Sequence, residues 1–143
     1  MTRNATAPSD TTALDLLKRV RILVVDDDPD MVAALDDLLA SRQATVATAS
    51  SSSEALAMLA GFKPHVIVSD ISMPDGDGYQ LMRMVRVRPA HQGGATAAIA
   101  LTGNVSDHDH ARALLAGFNV HLRKPFDPAE LCAAVLRVAK LEP

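Results

Sequence analysis

From Arg21 onward the chain alternates short apolar runs with longer stretches in which apolar residues return every three or four positions. The short runs predict five strands: Ile22-Leu23-Val24-Val25, Thr45-Val46-Ala47-Thr48, Val66-Ile67-Val68, Ala98-Ile99-Ala100-Leu101 and Val120-His121-Leu122. Four of the five are apolar almost throughout, as strands covered on both faces must be, and this predicts a parallel sheet.

The stretches between them carry helix start and stop signals. Asp28-Pro29 provides a cap and a proline at the first helical position, and Leu35, Leu38 and Leu39 then share one face. Ser51-Ser52-Ser53-Glu54 is a capping box, with Gly61 ahead of Pro64 as the expected stop. Asp77-Gly78 opens a third helix through Leu81, Met82 and Val85. Ser106 and Asp109 cap a fourth that ends at Gly117, and Asp127-Pro128-Ala129-Glu130 starts a fifth carrying Leu131, Val135 and Val138. Five βα units joined by short connections predict one open, doubly wound α/β sheet with right-handed crossovers.

Ahead of this alternation, residues 1 to 11 are rich in Thr, Ala, Ser and Pro and have little to bury, which predicts a mobile tail. Leu14, Leu16 and Leu17, within Thr12 to Arg19, predict a short helical turn packed on the domain or on a partner. The expected organisation is therefore a tail over 1–20, one domain over 21–140 and a C-terminal end over 141–143.

Composition narrows the function. At 48% hydrophobic residues, a chain of 143 can bury an ordinary core without disulfides. The single cysteine, Cys132, lies in a segment of helical period and is expected to be a buried small side chain in a reducing compartment. A net charge of -3, with no run of Lys and Arg, argues against direct nucleic-acid binding. The first residues lack the apolar stretch of a secretory signal, and no segment is apolar for long enough to span a bilayer, so a cytoplasmic protein without membrane contact is expected.

In open parallel sheets ligands bind outside the carboxyl ends of the strands. The residues that follow the strands here agree in chemistry: Asp26-Asp27-Asp28 after the first, Ser69-Asp70 after the third, Thr102 after the fourth, Arg123-Lys124 before Pro125 after the fifth. Only the second strand delivers no such group, which suits it to an edge. With Val24-Val25-Asp26-Asp27, Val66 to Pro74 followed by Asp77-Gly78, Ala100-Leu101-Thr102-Gly103 and Lys124-Pro125-Phe126, the chain from Arg21 to Lys140 resembles the receiver domains typified by the bacterial chemotaxis response regulator. Each motif is weak alone, but four in order at strand ends are specific.

That resemblance implies a flavodoxin-like sheet of order 2-1-3-4-5 and a phosphoacceptor signalling domain rather than an enzyme. It implies Asp70 as phosphoacceptor, Thr102 and Lys124 as ligands of the phosphoryl oxygens, and Mg²⁺, with Mn²⁺ as a substitute, held by Asp26, Asp27, Asp70 and the backbone carbonyl of Ser72. The Lys124-Pro125 peptide is expected to be cis. His121 stands where the family often carries Tyr or Phe as a switch, and Ser72 and Asn104 stand where it modulates acyl-phosphate lifetime. The implied partners are a sensor histidine kinase or a histidine phosphotransfer protein, and an effector bound at the face of helix 4, strand 5 and helix 5.

The residue types support this independently. Converging carboxylates raise one another's pKa unless a cation sits among them, and Mg²⁺ takes carboxylate, phosphate and water oxygens together. A carboxylate nucleophile forms an acyl phosphate, while a lysine and a hydroxyl neutralise and position the transferring group. On this reading Asp27 and Asp70 ligate directly, Asp26 acts mainly through water, and Asp28 is only a helix cap. A relay or phosphate-sink receiver without a dedicated effector is an alternative output. A haloacid-dehalogenase-like phosphatase, which also uses two aspartates one residue apart after a strand, is a remote one because it leaves Asp70 unexplained. His108 and His110, two apart on a helix, are expected as solvated surface residues, and Met73, Met82 and Met84 as packing.

Overall fold

The computed structural model describes residues 17–71, 78–103 and 107–139. Five strands form one parallel sheet: β1 (Arg21–Val25), β2 (Thr45–Ala49), β3 (Val66–Asp70), β4 (Ala97–Thr102) and β5 (Val120–Arg123), in the order β2-β1-β3-β4-β5. Five α-helices connect or follow them: α1 (Pro29–Ser41), α2 (Ser52–Phe62), α3 (Gly78–Arg86), α4 (Asp107–Ala116) and α5 (Pro128–Val138). A short 3₁₀ turn, Ala90–Gln92, precedes β4.

The unbroken apolar character of the strands has a direct cause. Leu23, Val25, Ile67, Ala98 and Ala100 point to a core shared with α2, α3 and α4, through residues such as Leu59, Met82 and Ala113. Ile22, Val24, Val66, Val68, Ile99 and Leu101 point the other way, to a core shared with Leu35 and Leu39 of α1 and Leu131 and Val135 of α5. Alternate residues thus serve opposite cores, and both must be apolar.

The helix caps follow the sequence signals, with informative exceptions. Asp28 Oδ1 accepts from the Asp30 N–H at 3.0 Å, and Asp127 Oδ1 from the Ala129 N–H at 2.9 Å. Ser51 Oγ accepts from the Glu54 N–H at 3.1 Å, but Glu54 Oε1 reaches back to the N–H of Ser50, one residue further than a simple box. Gly61 does not stop α2; the helix runs on to Phe62, and Lys63 takes the left-handed capping conformation at φ 52°. Gly117 does end α4, with φ +117° and Arg86 so close that a Cβ would lie 2.7 Å from its Cγ. The expected caps Asp77 and Ser106 lie outside the described residues.

Packing begins ahead of Arg21. Leu17 and Val20 are fully buried in the α1/α5-side core, joined through Leu17 N–H to the Arg42 carbonyl at 3.0 Å. The remainder of the expected tail, residues 1–16, lies outside the described residues. Cys132 is buried, and burial pushes its thiol pKa up. Met82 is core, whereas Met84 is 46% exposed; Met73 is outside the described residues.

Candidate functional site

The sheet delivers its polar residues to one edge. Asp26 follows β1 and is fixed by its N–H to the Ala49 carbonyl at 3.1 Å, while Asp70 and Thr102 are the last residues of β3 and β4. Lys124 follows β5, its N–H bonded to the Thr102 carbonyl at 2.7 Å, and the Lys124–Pro125 peptide is cis.

Here Asp26, Asp27 and Asp70 each present a carboxylate oxygen within 4.8 Å of the other two. Asp26 is 1% exposed and Asp70 8%, whereas Asp27 is exposed at the rim. Lys124 Nζ lies 3.5 Å from Asp26 Oδ2 and 3.5 Å from Asp70 Oδ1. Asp26 Oδ1 accepts the Asp28 N–H at 2.9 Å, but the buried Oδ2 receives no hydrogen bond among the described residues and lies beside the lysine charge. Burial pushes the Asp26 carboxyl above its ordinary pKa, and the charges of Asp70 and Asp27 push the same way against the Asp28 N–H and Lys124.

One lysine against three clustered carboxylates leaves negative charge and an oxygen lone pair unanswered in a buried place. An oxygen-seeking divalent cation fits this donor set.

Gly78 is a site residue whose reason lies in the packing. The first turn of α3 sits directly on the backbone of Asp70, so that a Cβ at Gly78 would lie 2.6 Å from the Asp70 carbonyl oxygen. The Gly78 N–H bonds the Ile71 carbonyl at 2.7 Å. The motif marks this glycine as a helix start; the close approach is long-range in space and invisible to a local reading.

His121 on β5 is half-buried, and its ring stacks on that of exposed His110 of α4, with centroids 5.5 Å apart and planes inclined by 14°. His110 is therefore not merely a solvated residue. Beside it, the guanidinium of Arg112 lies 4.2 Å above the Tyr79 ring, tying α4 to α3. Ser72 and Asn104 lie outside the described residues, as does the side chain of His108.

The family model for the response regulator receiver domain matches residues 22–136. The chain belongs to this family. The receiver is 42% identical over 122 residues to an uncharacterized 14.6 kDa protein in the sodA1 3′ region of Leptolyngbya boryana, a match covering 85% of this chain and 92% of the other. It is 32% identical over 142 residues to hybrid signal transduction histidine kinase D of Dictyostelium discoideum, of which the match spans only 9%. Among solved structures, chemotaxis protein CheY4 of Vibrio cholerae superposes with a TM-score of 0.77 at 29% identity, covering 83% of this chain and 98% of that one.

Receivers are signalling domains that bind Mg²⁺ through an acidic pocket and work with histidine kinases or phosphotransfer proteins. The chain is thus a phosphoacceptor receiver of two-component or phosphorelay type, which removes the haloacid-dehalogenase-like reading. Among the described residues, no helix is long and apolar enough to cross a membrane.

Proposed function

We propose that Asp70 is the phosphoacceptor. A carboxylate oxygen of Asp70 attacks the phosphorus of a phosphohistidine, the new P–O bond forms as the P–N bond breaks, and the imidazole nitrogen leaves with the electron pair. Asp27 and Asp70 would hold a bound Mg²⁺ directly, with the Ser72 carbonyl as the family resemblance implies, and Asp26, whose Oδ1 is already engaged by the Asp28 N–H, would act mainly through water. Such a cation would supply charge neutralisation for the transferring phosphoryl group. Lys124 pairs with one of those oxygens and the Thr102 hydroxyl donates to another.

The observation that carries this reading is the meeting of three carboxylates within 4.8 Å at a lysine 3.5 Å from two of them. Asp70→Asn abolishes Mg²⁺-dependent labelling by a small phosphodonor such as acetyl phosphate; retained labelling would sink the assignment.

The output is a contact made by the face of α4, β5 and α5 with an effector protein in the cytoplasm. Phosphorylation draws Thr102 toward the phosphoryl group, and His121, stacked on His110, carries the change into α4. Ser72 and Asn104 set the acyl-phosphate lifetime. A relay role without an effector is the second reading, favoured by the similarity to a hybrid kinase. A pull-down with phosphorylated and unphosphorylated chain separates them: a partner that binds only one state, other than the kinase or phosphotransfer protein, excludes the relay.

A further inference from the structure

At the edge of the sheet opposite Asp70, the amino-terminal ends of β3, β4 and β5 meet the last turn of α5 around a cavity of about 390 Å³. This lies within the size range of small-molecule pockets, roughly 300–1,000 Å³. Among the described residues its polar lining is His65, Thr96, Asn119 and Arg137, with no carboxylate, and its remaining walls are alanines and Val138.

Each polar group offers a donor. Nδ1 of His65 accepts the Arg21 N–H at 2.9 Å, so the neutral ring carries its proton on Nε2. Burial and the nearby Arg21 charge hold the His65 pKa below its ordinary value, which keeps that tautomer in place at neutral pH. Asn119 Oδ1 is occupied by the Ala98 N–H at 2.8 Å and by Arg86 Nη2 at 3.4 Å, which leaves its NH₂ group to donate. Arg137 has neither an ion pair nor a hydrogen bond among the described residues.

Unanswered donors, one of them a guanidinium, around small apolar walls suit an anionic head on a short apolar body. We infer that this cavity binds a small organic carboxylate, with Arg137 pairing the carboxylate and His65 Nε2, Thr96 and Asn119 donating to it. A bare inorganic anion would leave the alanine and valine walls uncovered. β3 alone separates this cavity from Asp70 by about 16 Å, at roughly 3.3 Å per residue, so the two sites are read independently.

The test is a ¹H–¹⁵N NMR titration of the full chain with benzoate at fixed pH and ionic strength, repeated with inorganic phosphate. Benzoate is expected to give saturable shifts at Thr96, at Arg137 and at the Asn119 side-chain amide, with phosphate leaving them unmoved. Arg137 is exposed, so Arg137→Gln keeps the fold, seen as unchanged resonances elsewhere, and weakens benzoate by about tenfold or more. Shifts that never saturate, equal affinity in Arg137→Gln, or displacement of benzoate by comparable phosphate overturns the proposal.

Discussion

Arg86 and Asp26 are both charged groups taken partly out of water, and the structure treats them in opposite ways. The Arg86 guanidinium, below the sheet, donates to the carbonyls of Gly94, Thr96 and Gly117 at 2.6–3.0 Å, so that its donors are spent on backbone carbonyls beside the start of β4 and the end of α4. Asp26, above the sheet, is more deeply buried yet keeps an oxygen without a hydrogen bond and stands among carboxylates of its own sign. A buried charge whose valence is used up locally holds the fold together; one left with valence to spare is set up to receive something.

The largest test of this contrast is Arg86→Ala. It leaves three buried or half-buried carbonyls without their donor, and is expected to lower unfolding free energy by about 2–4 kcal/mol in urea titration. Acyl-phosphate formation at Asp70, measured well below the melting temperature, should stay within about threefold of the parent. A large loss of labelling in a folded Arg86→Ala would erase the distinction between the two edges.

Next comes Gly78→Ala. Its Cβ would force apart the α3 turn and the Asp70 backbone, at a cost of about 1–3 kcal/mol. Unlike Arg86→Ala, it should slow phosphorylation more than its stability loss explains, as single-turnover labelling at saturating Mg²⁺ would reveal.

The smallest effect is expected from Asp26→Asn without divalent ions, and its sign is opposite. The folded chain holds the Asp26 proton more tightly than the unfolded chain, so ionising this group works against folding. Its contribution is most favourable below the ordinary value of 3.8 and is lost as pH rises through the raised native value. Asp26→Asn should therefore raise Tm at pH 7 and lose that advantage toward acid, while weakening Mg²⁺ binding. A lowered Tm at pH 7 would mean that the carboxylate is satisfied as it stands.

How far the sequence carried depended on the range of each signal. The two-sided burial of Val24 or Ile67 is written in its own apolar run, and the cap at Asp28 or Ser51 within three residues of itself. Asp26, Asp70, Thr102 and Lys124 were legible because each directly ends or follows a strand, and a parallel sheet brings all such positions to one edge. The contacts of Arg86 with residues 31 positions away, the approach of Gly78 to Asp70, and the stacking of His110 on His121 have no local trace. The apolar pattern ahead of Arg21 predicts that Leu17 packs on the domain or on a partner, and Leu17 is buried in the core, whereas the burial of Val20, a single apolar residue after Lys18 and Arg19, has no local signal. Gly61 misled because a helix tolerates glycine where its face is open, and no atom lies within 4 Å of a Cβ built there.

The division of alternate strand residues between two cores makes the sheet a partition as well as a scaffold. Substitutions at Leu35 or Leu131 and at Leu59 or Met82 fall in compartments that share no side-chain cluster, so their energetic costs should sum with little interaction. Mutations can therefore accumulate behind α1 and α5 without repacking the α2, α3 and α4 side. A receiver divided in this way can have one wall stiffened without the other being repacked.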